Sequence, residues 1–314
     1  MRPLLAIITK SHHRPQKESL FVGVALIALA AAIDVPRDTI IKYLTSSYNV
    51  LLLLWARFFF HALFLAIIAI VIHGEQLFRP PQPKLQILRG LCLASASLFF
   101  FYAVKFLPLA DALALVFSSP LVLTAIAPFM LGEKVGVHRW GAVIVGFIGA
   151  CIIIRSGFEG FTWYSLLPIA TGACLALYFV LNRKLSNTAP TLISLTVIAI
   201  PGAIIFSAII PAVWETPLPQ DIWILPLIGV MGACGHFCYI RAYTKAPAVA
   251  LAPFGYVELP IAVFFGWLVF NEFPDKVTWV GIGVLVASGL YILHRERIVA
   301  KMRRNPCISG KNPD

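Results

Sequence analysis

The sequence predicts an all-α membrane protein with ten transmembrane helices, arranged as two inverted five-helix repeats. Three observations support this fold: the composition, a series of apolar segments and an internal repeat. Of the 314 residues, 60% are hydrophobic and 12% are charged, and the mean hydropathy is +0.87. Soluble domains average about 45–50% apolar and about 25% charged residues. This chain therefore has too little polar surface for a soluble globule and is too apolar for disorder.

Apolar runs separated by turn-forming residues divide the chain into ten segments. One bilayer-spanning helix needs about 20 mostly apolar residues, and each segment is near that length. Pro80, Pro108, Pro190, Pro217 and Asn271 mark breaks between segments. The predicted spans one to ten are 20–44, 50–73, 86–105, 108–131, 137–155, 163–185, 191–213, 222–244, 248–271 and 277–294.

The basic residues predict how these spans are oriented. With the N-terminus in the cytoplasm, 19 of the 25 Lys and Arg residues are cytoplasmic, 3 are outside and 3 lie within spans. Because cytoplasmic loops carry an excess of Lys and Arg, we expect a multi-pass protein of the bacterial inner membrane with both termini in the cytoplasm. Residues 1–19 then form a cytoplasmic arm and 295–314 a basic tail. Residues 1–33 alone also resemble a cleavable signal peptide.

Two parts of the chain repeat at a constant spacing of 139 residues. The matched pairs are Ala103 and Ala242, Pro108 and Pro247, Glu133 and Glu272, and Trp140 and Trp279. The sequence thus predicts two copies of a five-helix unit, 20–155 and 163–294. Because five is odd, the second copy enters the membrane inverted, an arrangement typical of secondary transporters. A duplication that merely makes a stable bundle is the alternative.

The motifs 102–111 and 132–134, followed by Trp140, resemble the EamA type of the drug/metabolite transporter superfamily. This resemblance covers 20–294 and implies a central cavity lined by spans 1, 3, 4, 6, 8 and 9. Within the family, four short stretches resemble S-adenosylmethionine uptake carriers of intracellular bacteria: 57–60, 88–91, 257–259 and 271–276. Related carriers move riboflavin or amino acids, so the resemblance implies a metabolite carrier and leaves its substrate open.

Spans five and ten carry small residues four positions apart, and the resemblance places both outside the pathway. Such spacing lets helix backbones approach closely. The neighbour is either the other span in the same chain or a second copy in a homodimer. The small residues are Ala142, Gly146, Ala150, Gly283 and Ala287.

Span one contains several charged residues. A charge at the centre of a membrane helix costs about 2.5–3.5 kcal/mol on insertion scales, so such charges are candidates for function. Asp34 and Asp38 are four residues apart and share a face, and Pro36 is expected to kink the helix. Arg37 lies on nearly the same face, so an ion-pair ladder is the alternative to a cavity wall. Lys42 is expected to snorkel to the outer surface.

Arg57 and His61 lie four residues apart in span two. Arg57 is expected to pair with Asp34 or Asp38, and binding of a substrate carboxylate is the alternative. His61 is a candidate for proton coupling because histidine titrates near neutral pH. A hydrogen-bonded packing residue is the more ordinary role for a single membrane histidine.

Glu258 is the sharpest candidate, because it lies in the middle of the otherwise apolar span nine. A carboxylate there must pair, be protonated or face water. It is expected to recognise a cationic substrate group or to couple protons, with a structural pairing to Arg241 or Arg57 as the alternative. The other candidates for lining a pathway carry hydroxyl groups: Ser118, Ser119, Tyr178, Tyr239 and Tyr256.

The chain has no glycine-rich nucleotide loop, Walker A sequence or HExxH motif. We therefore expect no catalytic residues, metal, cofactor or nucleic-acid partner. The sequence predicts a secondary active transporter for a small organic metabolite, acting by alternating access in the lipid bilayer. S-Adenosylmethionine is the first candidate, since its cationic groups suit Glu258, Asp34 or Asp38. A membrane-embedded enzyme on lipid-linked substrates and a passive channel are the alternatives.

Overall fold

The computed structural model describes residues 16–131, 136–156, 163–185, 188–245, 251 and 254–304. These residues form eleven α-helices and two short 3-10 helices, and no β-strand occurs among them. The α-helices are α1 (Gln16–Leu44), α2 (Val50–His73), α3 (Pro83–Phe106), α4 (Leu109–Val116), α5 (Ser119–Leu131), α6 (Val137–Ser156), α7 (Leu166–Lys184), α8 (Thr191–Val213), α9 (Ile224–Lys245), α10 (Glu258–Phe270) and α11 (Lys276–Arg304). The 3-10 helices are Gly74–Phe78 and Trp163–Ser165. The predicted N-terminal arm before residue 16, Glu133 and the tail beyond residue 304 lie outside the described residues.

Within this described part, seven helical segments are long and apolar enough to cross a bilayer. They are Leu20–Leu44, Val50–Phe78, Pro83–Phe106, Leu109–Ile126, Trp163–Asn182, Thr191–Val213 and Ile224–Lys245. The other three predicted spans correspond to shorter apolar helices, Trp140–Ile154, Glu258–Phe270 and Lys276–Ile292. The all-helical prediction is confirmed, whereas the count of ten spans stays a prediction.

Two predicted spans are not continuous helices. Span four divides into α4 and α5, because Pro120 has no N–H to donate and its ring would clash with the carbonyl of Val116, the last residue of α4, in a continuous helix. In span nine a turn at Tyr256 and Val257 precedes α10, which begins at Glu258. Conversely, α11 continues to Arg304, well past the predicted end at residue 294. The added turns contain four Arg, with Glu, Lys, Ala and Met, which favour a helix but do not extend an apolar run.

The main packing contacts join helices that are distant in the chain. α1 packs on α9, α3 on α7, α2 on α8, and α6 on α11, with further contacts of α2 with α9 and of α3 with α8. The largest buried cluster draws on most of these helices, and Phe58 and Phe101 are 1% and 0% exposed within it. The long helices are therefore held together by a shared apolar core.

Glycines allow several of these helices to approach closely. A Cβ at Gly90 of α3 would lie 2.7 Å from the Pro201 ring of α8. A Cβ at Gly229 of α9 would lie 2.8 Å from the backbone nitrogen of His61 in α2. Side chains at these two positions would therefore push the paired helices apart.

The small residues of α6 are used within the chain. A Cβ at Gly149 would lie 2.9 Å from the Leu285 nitrogen of α11, and Gly146 faces Ser288 of the same helix. Gly283 and Ala287, in contrast, are exposed on α11. Packing of spans five and ten in one chain accounts for the α6 pattern, and the homodimer stays a prediction.

Candidate functional site

The centre of α1 contains a buried group of three charged residues. Arg37 donates from Nη2 to Asp38 Oδ1 at 2.8 Å and from Nε to the same oxygen at 3.1 Å, and Nη1 pairs with Asp34. Asp34, Arg37 and Asp38 are 9%, 5% and 5% exposed. The ion-pair ladder is thus present in α1, and it carries two negative charges against one positive charge.

Glycines on α9 bring this group against two further helices. A Cβ at Gly235 would lie 2.7 Å from Asp34 Cγ, and one at Gly232 would lie 3.6 Å from Arg37 Nη1 and 3.7 Å from His61 Nδ1. Gly229, Gly232 and Gly235 recur every three residues, a spacing visible in the sequence but missed there. The packed backbone of α9 therefore forms one wall of the charged centre.

His61 is not alone in this region. It is 2% exposed, its Nε2 has no hydrogen-bond partner among the described residues, and its ring lies 6.0 Å from that of His236 on α9. His236 is a residue that the sequence reasoning left out. No group of three or more His, Cys, Asp and Glu side chains in the described segments is placed to hold a metal ion.

The expected pairing of Arg57 is wrong. Arg57 forms no salt bridge with Asp34 or Asp38, and its guanidinium carbon lies 5.3 Å from the ring centre of Phe101 and 5.5 Å from that of Phe58. Arg37 takes both carboxylates because it lies on the same helix, one and three residues away. Arg57 is 6% exposed, and it lies within electrostatic range of Asp34 and Asp38 without forming an ion pair with either.

Glu258 lies at the first position of α10, not within a continuous helix. Carboxylates are stabilised at a helix N-terminus by the backbone dipoles. Tyr239 of α9 donates its hydroxyl to Glu258 Oε1, so the observed partner is neither Arg241 nor Arg57. α10 packs on α1, which places Glu258 within electrostatic range of Arg37.

The break between α4 and α5 meets the turn before α10. The ring of Phe117 lies 4.9 Å from the ring of Tyr256. Beside it, Ser118 and Ser119 are 4% and 8% exposed, and Ser118 Oγ has no hydrogen-bond partner among the described residues. Gly172 of α7 lies against the same hydroxyl, since its Cβ would be 2.9 Å away. The two interrupted helices thus meet at their irregular backbones.

Lys42 does not snorkel to the surface. Its Nζ binds Glu272 Oε1 at 2.7 Å and the Leu107 carbonyl at 2.9 Å, while Glu272 also accepts from the Leu109 N–H at 3.3 Å. Lys42 pairs inward because Glu272, which follows α10, supplies a carboxylate that residue spacing does not reveal. This ion pair ties α1 to the loops before α4 and after α10.

The same end of the bundle, here called the α1–α2 end, has a second tie. Tyr48 donates to Asp221 Oδ2 at 2.5 Å and accepts from the Leu218 N–H at 3.0 Å, which joins the α1–α2 loop to the α8–α9 loop. The hydrogen bond to Asp221 raises the pKa of Tyr48 above its ordinary value. A polar pocket of about 300 Å³ opens beside it, lined by residues including Tyr102, Lys105 and Glu215.

The remaining predicted residue, Tyr178 on α7, is 5% exposed. It is within electrostatic range of Arg57 and Arg89. The structure therefore brings the predicted residues together in three groups, of which the first two lie within electrostatic range of each other. Asp34, Asp38 and His61 line the α1–α9 contact, Glu258 pairs with Tyr239, and Tyr256 meets the Ser118 break. Buried charges of both signs, with Glu258 at an interrupted helix, are suited to binding a polar molecule inside the bundle.

The chain belongs to the EamA-like transporter family, whose profile matches residues 21–155 and 162–294. It is therefore an integral membrane protein and a transporter, not an enzyme, and the family implies a small-molecule substrate. The resemblance drawn from the short motifs is confirmed.

Two relatives of this chain are named as transporters of different substrates. The chain is 28% identical to an S-adenosylmethionine uptake transporter of Rickettsia conorii, over 89% of this chain and 95% of the relative. It is 29% identical to a riboflavin transporter of Vibrio cholerae, over 93% of this chain and 98% of the relative. A solved crystal structure also shares the fold, with a TM-score of 0.59, 17% identity and coverage of 90% of this chain and 98% of that one.

Proposed function

We propose that this protein is a secondary carrier of the inner membrane that moves a small organic metabolite by alternating access. S-Adenosylmethionine is the first candidate for its substrate. The observation that carries the proposal is the buried charged centre. Asp34, Arg37 and Asp38 lie on a proline-containing helix, and Glu258 begins the interrupted helix packed against it. Such charges are expensive in a membrane, so a binding pathway accounts for them better than packing does.

Alternating access requires two halves that can exchange conformations, and the packing of the helices supports ten spans in two inverted repeats. Under the 139-residue spacing, α1, α2, α3 and α6 correspond to α7, α8, α9 and α11. Each main contact then has an equivalent: α1–α9 corresponds to α7–α3 and α2–α9 to α8–α3, while α2–α8 and α6–α11 correspond to themselves.

Individual contacts follow the same rule. Gly149 meets Leu285, and the equivalent residues Ser288 and Gly146 also meet. Reciprocal contacts of this kind are expected across a two-fold axis. Gly90 and Gly229 are equivalent too, and each lies at a close approach, of α3 to α8 and of α9 to α2.

With the N-terminus in the cytoplasm, the α1–α2 end faces outward. The Lys42–Glu272 pair then closes the outer side of the pathway in this conformation. Opening that side requires the pair to separate, which gives the carrier a defined barrier between its two states.

The excess of carboxylates favours S-adenosylmethionine over riboflavin. Asp34, Asp38 and Glu258 offer three acidic groups, which suit the sulfonium and ammonium groups of S-adenosylmethionine. Riboflavin has no cationic group that could pair with these carboxylates. It is the second candidate because the Vibrio cholerae relative is named as a riboflavin transporter. Arg57, which forms no ion pair among the described residues, is a buried positive charge within electrostatic range of Asp34 and Asp38.

Uptake by reconstituted protein tests this proposal. Proteoliposomes with wild-type protein are compared with Glu258→Gln, with the exposed control Glu75→Gln and with empty vesicles, using labelled S-adenosylmethionine and riboflavin. Loss of one charge-assisted contact, worth about 1.5–3 kcal/mol, predicts uptake reduced about 10- to 100-fold in Glu258→Gln. The control is expected to match wild type. Unchanged affinity, rate and pH dependence in Glu258→Gln would remove Glu258 from the site.

A further inference from the structure

Arg89 is a buried cation that no carboxylate of the described residues neutralises. It is 3% exposed and lies in the first turns of α3, against α7 and α8. Its Nη1 donates to Asn182 Oδ1 at 2.9 Å, and its Nη2 donates to Gln86 Oε1 at 2.6 Å. Nη2 also donates to Ser194, to the hydroxyl at 2.9 Å and to the carbonyl at 3.0 Å. Every acceptor is neutral, so the positive charge is solvated but not balanced.

Two N–H donors beside this charge have no acceptor. Arg89 Nε and Gln86 Nε2 are buried without a hydrogen-bond partner among the described residues. Gln86 is 0% exposed, and it shares a face of α3 with Arg89 because the two are three residues apart. Buried donors in native proteins are nearly always paired. Two orphan donors next to an uncompensated cation indicate a missing anionic partner.

A carboxylate can balance the charge of Arg89 and accept hydrogen bonds from the two donors that have no acceptor, Arg89 Nε and Gln86 Nε2. It carries one negative charge and two coplanar oxygens, which accept hydrogen bonds from a guanidinium in a fixed geometry. Arg89 Nε and Gln86 Nε2 can then both donate hydrogen bonds to the same carboxylate. Tyr178 lies one turn from Asn182 on α7 and within electrostatic range of both Arg89 and Arg57.

We propose that Arg89 and Gln86 form a binding site for a carboxylate group of the transported molecule, near the end of the bundle where α3 begins. This inference rests on the proposed function, because it assigns part of the recognition within the carrier. Asp34, Asp38 and Glu258 then bind the cationic groups of the substrate, and Arg89 binds its carboxylate. Substrate reaches the donors when α3 separates from α7 or α8.

The first test does not depend on transport. The full-length protein in detergent is heated with sodium propionate or with propionamide, which has nearly the same shape without the charge. Propionate is expected to raise the melting temperature of wild type more than propionamide does. Arg89→Gln is expected to lose this difference, and Arg79→Gln, whose arginine is exposed at the same end, to retain it. Gln86→Met keeps the guanidinium and is expected to reduce the difference.

Equal effects of propionate and propionamide on wild type would overturn the proposal. So would a difference that persists in Arg89→Gln. Stabilisation by short-chain phosphatidylglycerol, with none by propionate, would also overturn it, because the site would then hold a lipid phosphate.

The second test measures uptake of S-adenosylmethionine and of decarboxylated S-adenosylmethionine in proteoliposomes. Arg89→Gln is expected to raise KM for the first about 10- to 100-fold and for the second less than about threefold. A parallel rise for both compounds would make Arg89 a structural residue and overturn the proposal. If wild type takes up neither compound but propionate still stabilises it more than propionamide does, the proposed substrate is wrong and the proposed site is retained. If wild type takes up S-adenosylmethionine and propionate does not discriminate, the site fails and the proposed function stands.

Discussion

Phe117 and Tyr256 contact each other through their rings, whose centroids are 4.9 Å apart. The two residues are 139 positions apart, which is the spacing of the internal repeat. A residue meets its own equivalent only beside a symmetry axis, so this contact is expected if a two-fold axis relates the halves. Both residues also stand where a helix is interrupted, between α4 and α5 and before α10.

The hydroxyl of Tyr256 lies against Gly289 of α11, where any Cβ would overlap it. We expect Gly289→Ala to destabilise the protein by about 1–3 kcal/mol through overpacking, more than the about 1 kcal/mol gained in helix propensity. Tyr256→Phe removes a hydroxyl without a partner among the described residues, so the double variant should recover most of the loss. Thermal unfolding of the four proteins measures this, and an equal loss in both backgrounds would refute the contact.

Gly235→Ala is expected to disable transport, because a Cβ there would displace the Asp34 carboxylate from Arg37. Gly283→Ala is the matched control, since a Cβ at that helical glycine meets nothing within 4 Å. Uptake by the two variants is compared at equal amounts of folded protein in the vesicles. Wild-type uptake by Gly235→Ala would show that the carboxylate position does not matter.

Lys42 and Glu272 should be energetically coupled. Their side chains are 9% and 32% exposed, so the coupling is expected to lie between surface and buried ion pairs, at about 1–3 kcal/mol. A double-mutant cycle with Lys42→Met and Glu272→Gln, read by thermal unfolding, measures it. The swapped pair Lys42→Glu with Glu272→Lys should recover only part of the loss, because Lys cannot accept from the Leu109 N–H. Additive single effects would mean that the two groups act independently.

The tie between Tyr48 and Asp221 predicts a pH dependence. The pKa of Tyr48 is raised in the folded protein, so its contribution is complete below the unfolded pKa of about 10 and is lost as pH rises through the folded value. Tyr48→Phe should therefore be less stable than wild type at pH 8, by about 0.5–1.5 kcal/mol. The two proteins should converge at strongly alkaline pH. A difference that stays constant through that range would contradict the hydrogen bond.

Local spacing predicted local contacts well. Asp34, Arg37 and Asp38 fall on one helix face by residue number alone, and they do form one group. The ends of α2 and α8 coincide with the limits of apolar runs, because length and hydropathy decide such boundaries. The family profile matches two segments of the chain, 21–155 and 162–294, and the inverted arrangement of two five-helix units stays a prediction.

Contacts between distant segments were not predictable in the same way. Glu272 binds Lys42 across 230 residues, and the partner of Glu258 is a tyrosine rather than an arginine. Residue spacing placed Arg37 beside both carboxylates but did not show that Arg57, on another helix, would be left without an ion pair to them. The Arg89 group depends on three helices meeting at one guanidinium, which residue spacing on a single helix does not reveal.

Counterflow by the reconstituted wild-type protein tests the central claim most directly. Vesicles loaded with unlabelled S-adenosylmethionine are diluted into a low concentration of labelled S-adenosylmethionine, beside vesicles without the internal compound. The account predicts saturable uptake that is faster and transiently higher in the loaded vesicles, because a carrier returns more readily with substrate bound. Flux that rises linearly with concentration, with no saturation and no counterflow, would contradict an alternating-access carrier.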